Sequence, residues 1–324
     1  MSGTWQHDVA EAAVRAAVVL VSFVVSALFI GQVEHKAMAH MQGRMGPMYA
    51  GGFHGWAQLV ADAAKFAQKE AVIPAAADRR VFQLAPFVSI APYIVALSAI
   101  PLSGTLVGAD LDAGLLFVLA VSTVGVLGTL MAGWSSGNKY ALMGGLRAAG
   151  QLMAYEVPLV LAASSAAIAA GSLSLTQIAT QWQWWWLFWQ APAAFVFFVA
   201  GLAELQRPPF DIPIADTELV SGPLTEYSGM RFALFLFTEY GGIVVLSAMT
   251  TVLFLGGWRG PFSDTLGPLW TILKVVALGF VVVWIRTSWP RLREDQLQRF
   301  AWLVLVPVAL GQLALTTAVV LARG

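Results

Sequence analysis

The chain has 324 residues, 58% hydrophobic and only 11% charged, with a formal net charge of zero and a mean hydropathy of +0.73. Soluble domains carry about 25% charged residues, so the composition excludes a soluble globular protein, and the neutral balance offers nothing to a nucleic-acid backbone. The absence of cysteine excludes disulfides, thiolate metal sites and cysteine-held iron–sulfur clusters.

Apolar runs long enough to span a bilayer, about 20 residues each, fall at 12–33, 84–106, 113–134, 147–170, 184–204, 231–255, 266–286 and 300–322. They predict an all-α polytopic membrane protein, one membrane domain over 1–324 with about eight transmembrane helices. The first run, Val14 to Val33, is too long for the apolar part of a signal peptide and lacks a small-residue cleavage site, so it reads as a retained helix. The four histidines, His7, His35, His40 and His54, show no metal-ligand spacing.

Residues 51–70, GGFHGWAQLVADAAKFAQKE, are too polar to span. Trp56, Leu59, Val60, Ala63 and Phe66 recur at helical spacing, with Asp62, Lys65, Lys69 and Glu70 on or beside the other face. That pattern predicts an interfacial amphipathic helix. Such a helix serves either as a surface anchor or as a lip past which a lipid-soluble molecule enters.

The fourth span carries Glu156 between Leu152 and Leu159, nine residues beyond Arg147 and so about 13 Å from it along a helix. Glu156 therefore needs a partner on another helix, a hydrated cavity or a proton. The fifth span opens on WQWWWLFW at 182–189, a Trp belt of the kind found at a membrane interface.

Six of the 18 acids, Glu204, Asp211, Asp216, Glu218, Glu226 and Glu239, then fall between residues 203 and 240. Ionisable groups in or beside a bilayer are costly, and their default meaning is a proton or ion path. The 205–230 stretch is an acidic loop in which Pro208, Pro209 and Pro213 break helix, with Arg207 and Asp211 placed to bridge and fix it. Arg44, before Gly46 and Pro47, reads as a cation held by a turn. Lys274 in the seventh span is either a counter-ion for Glu239 or Glu156 or a side chain that snorkels to the surface.

Apart from Lys274, every Lys and Arg except Arg15, Arg259 and Arg323 falls at or near the loops after the first, third, fifth and seventh spans. The positive-inside rule makes those loops cytoplasmic. The amphipathic helix and the acidic loop then lie on the cytoplasmic side, and both termini face the periplasm or exterior.

GRMGP at 43–47, QLVADAAKFAQKE at 58–70, AGWSSGNKYALMGGLRAAGQLMAYEVP at 132–158, AELQRPPFDIP at 203–213, ELVSG at 218–222, TEYSGMRFALFLFTEY at 225–240 and PRLREDQL at 290–297 are jointly specific. The chain resembles the H subunit of bacterial NADH-quinone oxidoreductase, the family that includes subunit 1 of mitochondrial complex I, from about residue 30 to 322. The resemblance implies a subunit of a proton-translocating respiratory enzyme in the bacterial inner (plasma) membrane, at the heel where membrane and peripheral arms meet. It implies ubiquinone or menaquinone as substrate and no cofactor held by this chain. NAD, FMN and iron–sulfur clusters belong to partner subunits, and the partners are peripheral-arm quinone-site subunits together with small and antiporter-like membrane subunits.

On the matching positions, the resemblance implies that Glu156, Glu226 and Glu239 carry protons. It implies that Arg44, Asp62, Arg147, Glu204, Arg207, Asp211, Asp216 and Glu218 shape the quinone chamber and its coupling loop. The chain departs from the family pattern at Met48, Asp216 and Leu303, and at Ile214, which stands where an acid usually follows the FDLP-type turn. A free-standing proton- or cation-coupled transporter is the alternative from the residues alone, although no paired inverted repeat is visible. The FDIP and TEYSG motifs speak against a third option, the membrane subunit of a hydrogenase.

Overall fold

The computed structural model describes residues 2–323, with the side chains of residues 2–8, 216, 217, 264 and 323 left aside. The described residues form helices and turns with no strand. In chain order the helices are α1 (Ser2–Met41), α2 (Gln58–Gln68), α3 (Arg79–Ala99), α4 (Gly114–Ser135), α5 (Lys139–Ala170), α6 (Leu175–Gln181), α7 (Trp186–Trp189) and α8 (Ala191–Glu204). After the acidic loop come α9 (Asp216–Leu219), α10 (Gly229–Phe254), α11 (Ser263–Ser288), α12 (Glu294–Phe300) and α13 (Val306–Arg323). A single π turn over Ala301–Leu305 joins the last two into one continuous span.

Helix ends follow local chemistry. Asp78 caps α3 by accepting from the amides of Arg80 and Val81, and Asn138 caps α5 by accepting from Tyr140 N at 2.9 Å. Gly171 closes α5 in the left-handed conformation, with φ of 64°. With 32 residues, α5 is about 48 Å long at 1.5 Å per residue. It is therefore longer than a hydrocarbon core of about 30 Å, and Arg147 sits in its first half.

Seven helices are long and apolar enough to cross a membrane among the described residues. The fifth expected span is the exception, because it is split at Gln190 into α7 and the 14-residue α8. Pro192 in the first turn of α8 starts a new helix there. The Gln190 side chain instead accepts from Ser165 Oγ at 3.0 Å and donates to Thr316 Oγ1 at 3.1 Å. That buried network ties α5 and α13 to the break, so its polar groups stay satisfied.

Packing places α10 at the centre, against α1, α3, α8 and α11, while α3, α4 and α5 pack in succession and α5 also meets α8 and α13. Without a hydrophobic drive between helices in lipid, close approach through small residues supplies the contact. Gly128 of α4 shows it, since a Cβ there would lie 2.5 Å from Ser89 N of α3. The acidic loop is fastened to the bundle by Tyr227, whose ring stacks on Phe82 at 4.0 Å and whose hydroxyl donates to Phe82 O at 3.1 Å. Gly222, at φ of 51°, occupies the left-handed region that glycine takes without strain.

Candidate functional site

The loop after α8 turns one cation inward. Arg207 is fully buried, and its guanidinium pairs with Glu34 in the C-terminal quarter of α1 and with Glu239 of α10. The Nε to Glu239 Oε1 distance is 2.6 Å. Arg286 of α11 pairs with the other Glu34 oxygen. Two guanidinium groups thus meet two carboxylates and the formal charges cancel, which makes burial of Arg207 and Glu34 tolerable while Glu239 and Arg286 stay partly exposed. Burial works against the charge on Arg207, but Glu239 and Glu34 outweigh it and hold the guanidinium more firmly protonated than in water.

Glu239 and its neighbour Tyr240 face different clefts. Tyr240 lines one between α1, α2 and α10, together with Leu59, Asp62 and Phe66. Glu239 lines one with Tyr93, Gln206, Thr238, Glu204 and Ile214. Arg207 touches both residues, since its Cζ also lies 5.1 Å from the Tyr240 ring centre. A third, small cavity shares Tyr93, Glu204 and Leu205 with the second and runs deeper, past Ser122 to Met249. Glu156 of α5 lies within electrostatic reach of Glu204. One Glu204 carboxylate oxygen is buried without a protein partner, so that cavity has a polar group for water to satisfy.

The sequence-derived residues separate into groups. Glu204, Arg207 and Glu239 come together, with Glu156 close by. Asp62 is placed differently from the helical-wheel expectation: it sits on the inward face of α2 beside Leu59, Ala63 and Phe66, whereas Trp56 and Val60 are exposed. Positions 59, 62, 63 and 66 form one stripe at helical spacing, and α1 and α10 cover it. Arg44 is exposed and donates to Gln42 at 2.9 Å.

Asp211 does not bridge to Arg207 as the loop sequence suggests; Arg207 turns into the bundle and Asp211 pairs with Arg291 at 2.5 Å. Arg147 pairs with Glu218 at 2.6 Å and Glu294 at 3.5 Å near the surface. Glu226 accepts from Asn138 Nδ2 at 2.7 Å, next to the α5 cap. The side chain of Asp216 lies outside the described residues.

Lys274 is not the counter-ion of Glu239 or Glu156. Its ammonium donates to the carbonyls of Leu255, Gly257 and Arg259, each at 2.8 Å, and closes the turn after α10. Composition alone missed Glu34 and Arg286, because both stand just where an apolar run ends and read as solvated flanks. The signal was a lone carboxylate in the Lys- and His-containing segment directly after the first span.

The chain matches the family model described as NADH dehydrogenase over residues 14–317. It is 44% identical over 304 residues to the H subunit of NADH-quinone oxidoreductase from Geobacillus thermodenitrificans, covering 93% of this chain and 91% of that one. It is 45% identical over 286 residues to the same protein of Bacillus cytotoxicus, covering 87% and 86%. The chain belongs to the family of NADH-quinone oxidoreductase H subunits. In agreement with the sequence, it is an all-helical, multi-pass membrane protein.

Proposed function

We propose that this chain forms the membrane-side wall of a quinone chamber and the first stretch of the proton path in a proton-pumping NADH-quinone oxidoreductase of the bacterial plasma membrane. The observation that carries the proposal is the double contact of Arg207, which joins the Tyr240 cleft to the acidic cavity through Glu239. The Tyr240 cleft is apolar with one carboxylate, Asp62, which suits a lipid-soluble ring carrying polar oxygens. Partner subunits complete the chamber and supply electrons through their NAD, FMN and iron–sulfur clusters.

Quinone takes two electrons and two protons to become quinol. The charge that appears and is neutralised beside Tyr240 acts on Arg207. Any weakening of the Arg207–Glu239 pair frees the Glu239 carboxylate from its cation. Protons then pass among Glu239, Glu204 and Glu156 towards the antiporter-like partners. Glu226 lies at the loop edge of this path. Arg44, Arg147, Asp211, Asp216 and Glu218 shape the loop surface that meets the peripheral arm, with the termini facing outward.

Glu156→Gln in the assembled enzyme tests the proposal. It should lower quinone reduction and proton pumping at least tenfold with the complex still assembled. Unchanged rates in both assays would remove Glu156 from the path.

A further inference from the structure

The opposite end of the bundle carries a second built feature. The Trp-rich segment around α7 and the turn after α10 face two clefts, of about 400 Å³ and 350 Å³, and Arg259 and Thr180 line both. Arg259 is exposed. One of its terminal nitrogens donates to Trp182 O at 2.6 Å and the other to Thr180 O, which fixes the guanidinium in place. A guanidinium has five N–H groups in a planar fork, so the remaining donors point from a clamped position. Lys274, hydrogen-bonded to the Arg259 carbonyl, adds a second cation to the same turn. Among the described residues neither cation pairs with a carboxylate.

The larger cleft is amphiphilic. Its mouth holds Arg259, Gln181 and Gln183, and its wall is Trp189, Val319 and Val320 of α13. Trp rings mark the headgroup level of a bilayer, so the cation sits at phosphate depth with an apolar wall beside it. We propose that this end of the protein binds one anionic phospholipid, its phosphate on Arg259 and an acyl chain between α7 and α13. Charge complementarity selects an anionic over a zwitterionic headgroup, and the Trp189–Val319–Val320 wall selects a lipid over free phosphate.

The test uses the intact complex, purified in mild detergent, washed, and incubated with dioleoyl phosphatidylglycerol, dioleoyl phosphatidylcholine or inorganic phosphate. Retained lipid is counted by mass spectrometry. The wild-type complex and Arg259→Lys should keep one phosphatidylglycerol per complex that Arg259→Gln loses. Val320→Trp, which fills the cleft without touching the clamp, should lose the same molecule. Phosphatidylcholine should not replace it, and neither should phosphate at matched concentration. Equal retention in both variants, equal occupancy by phosphatidylcholine, or displacement by inorganic phosphate would overturn the assignment.

Discussion

Arg207 Nε lies 2.6 Å from Glu239 Oε1, and the guanidinium is fully buried. An arginine in this position costs a great deal to desolvate and is retained only with partners close at hand. Here the partners lie on α1 and α10, and α11 adds Arg286 through Glu34. One loop side chain therefore ties two helices together, and Glu34 extends the link to a third.

Arg207→Gln takes the cation from Glu239 and leaves the buried Glu34 with Arg286 alone. Breaking a buried pair from one side costs about 3–5 kcal/mol, so the yield of assembled complex should fall sharply. Arg207→Lys keeps the charge but replaces a fork with a point donor that serves two carboxylates poorly. The Lys variant should assemble and reduce quinone at least tenfold more slowly. A Lys variant with wild-type turnover would show that the fork geometry has no part in the reaction.

Ile214 lines the cavity that holds Glu204 and Glu239. Introducing Ile214→Glu places a third carboxyl there, where poor solvation and like charge both favour its neutral form. Its proton affinity should be raised, so it stays protonated through the usual carboxylate range and ionises nearer neutrality. The pH profile of quinone reduction should gain a step above about pH 6 that the wild type lacks. An unchanged profile in a fully assembled variant would mean that this wall does not communicate with the reacting acids.

Lys274→Met removes a donor from three carbonyls at the turn after α10. Each orphaned group costs about 1–3 kcal/mol when buried, and water relieves part of this at a half-exposed site. The Met variant should lower the thermal unfolding temperature of the complex by several degrees while leaving turnover per assembled enzyme within twofold of wild type. A tenfold loss of turnover at unchanged unfolding temperature would restore a catalytic role for this lysine.

Much of the architecture was legible in the chain because spans of apolar residues announce themselves by length. The fifth span misled for a physical reason: a Trp-rich run has the hydropathy of a helix, but Gln190 finds better partners in Ser165 and Thr316 than solvent would offer, and the helix breaks there. The acidic cluster around residue 204 was visible as a concentration of carboxylates. Which of them turn inward was not, because that depends on the path of a proline-rich loop. Arg207 and Asp211 are four residues apart yet face a buried cluster and a surface arginine, respectively. Asp62 shows the same limit on a helix, since only the packing of α1 and α10 decides which stripe of α2 is covered. Glu34 and Arg286 were hidden by lying at the boundary of an apolar run, where a charge is usually solvated.

The most direct measurement is proton translocation per quinone reduced in proteoliposomes carrying the Glu239→Gln complex. The introduced amide cannot ionise and cannot hold Arg207 by charge. Translocation per quinone should therefore drop to less than half of wild type, with residual quinone reduction still detectable. A Glu239→Gln complex that pumps and reduces quinone as the wild type does would contradict the proposed path.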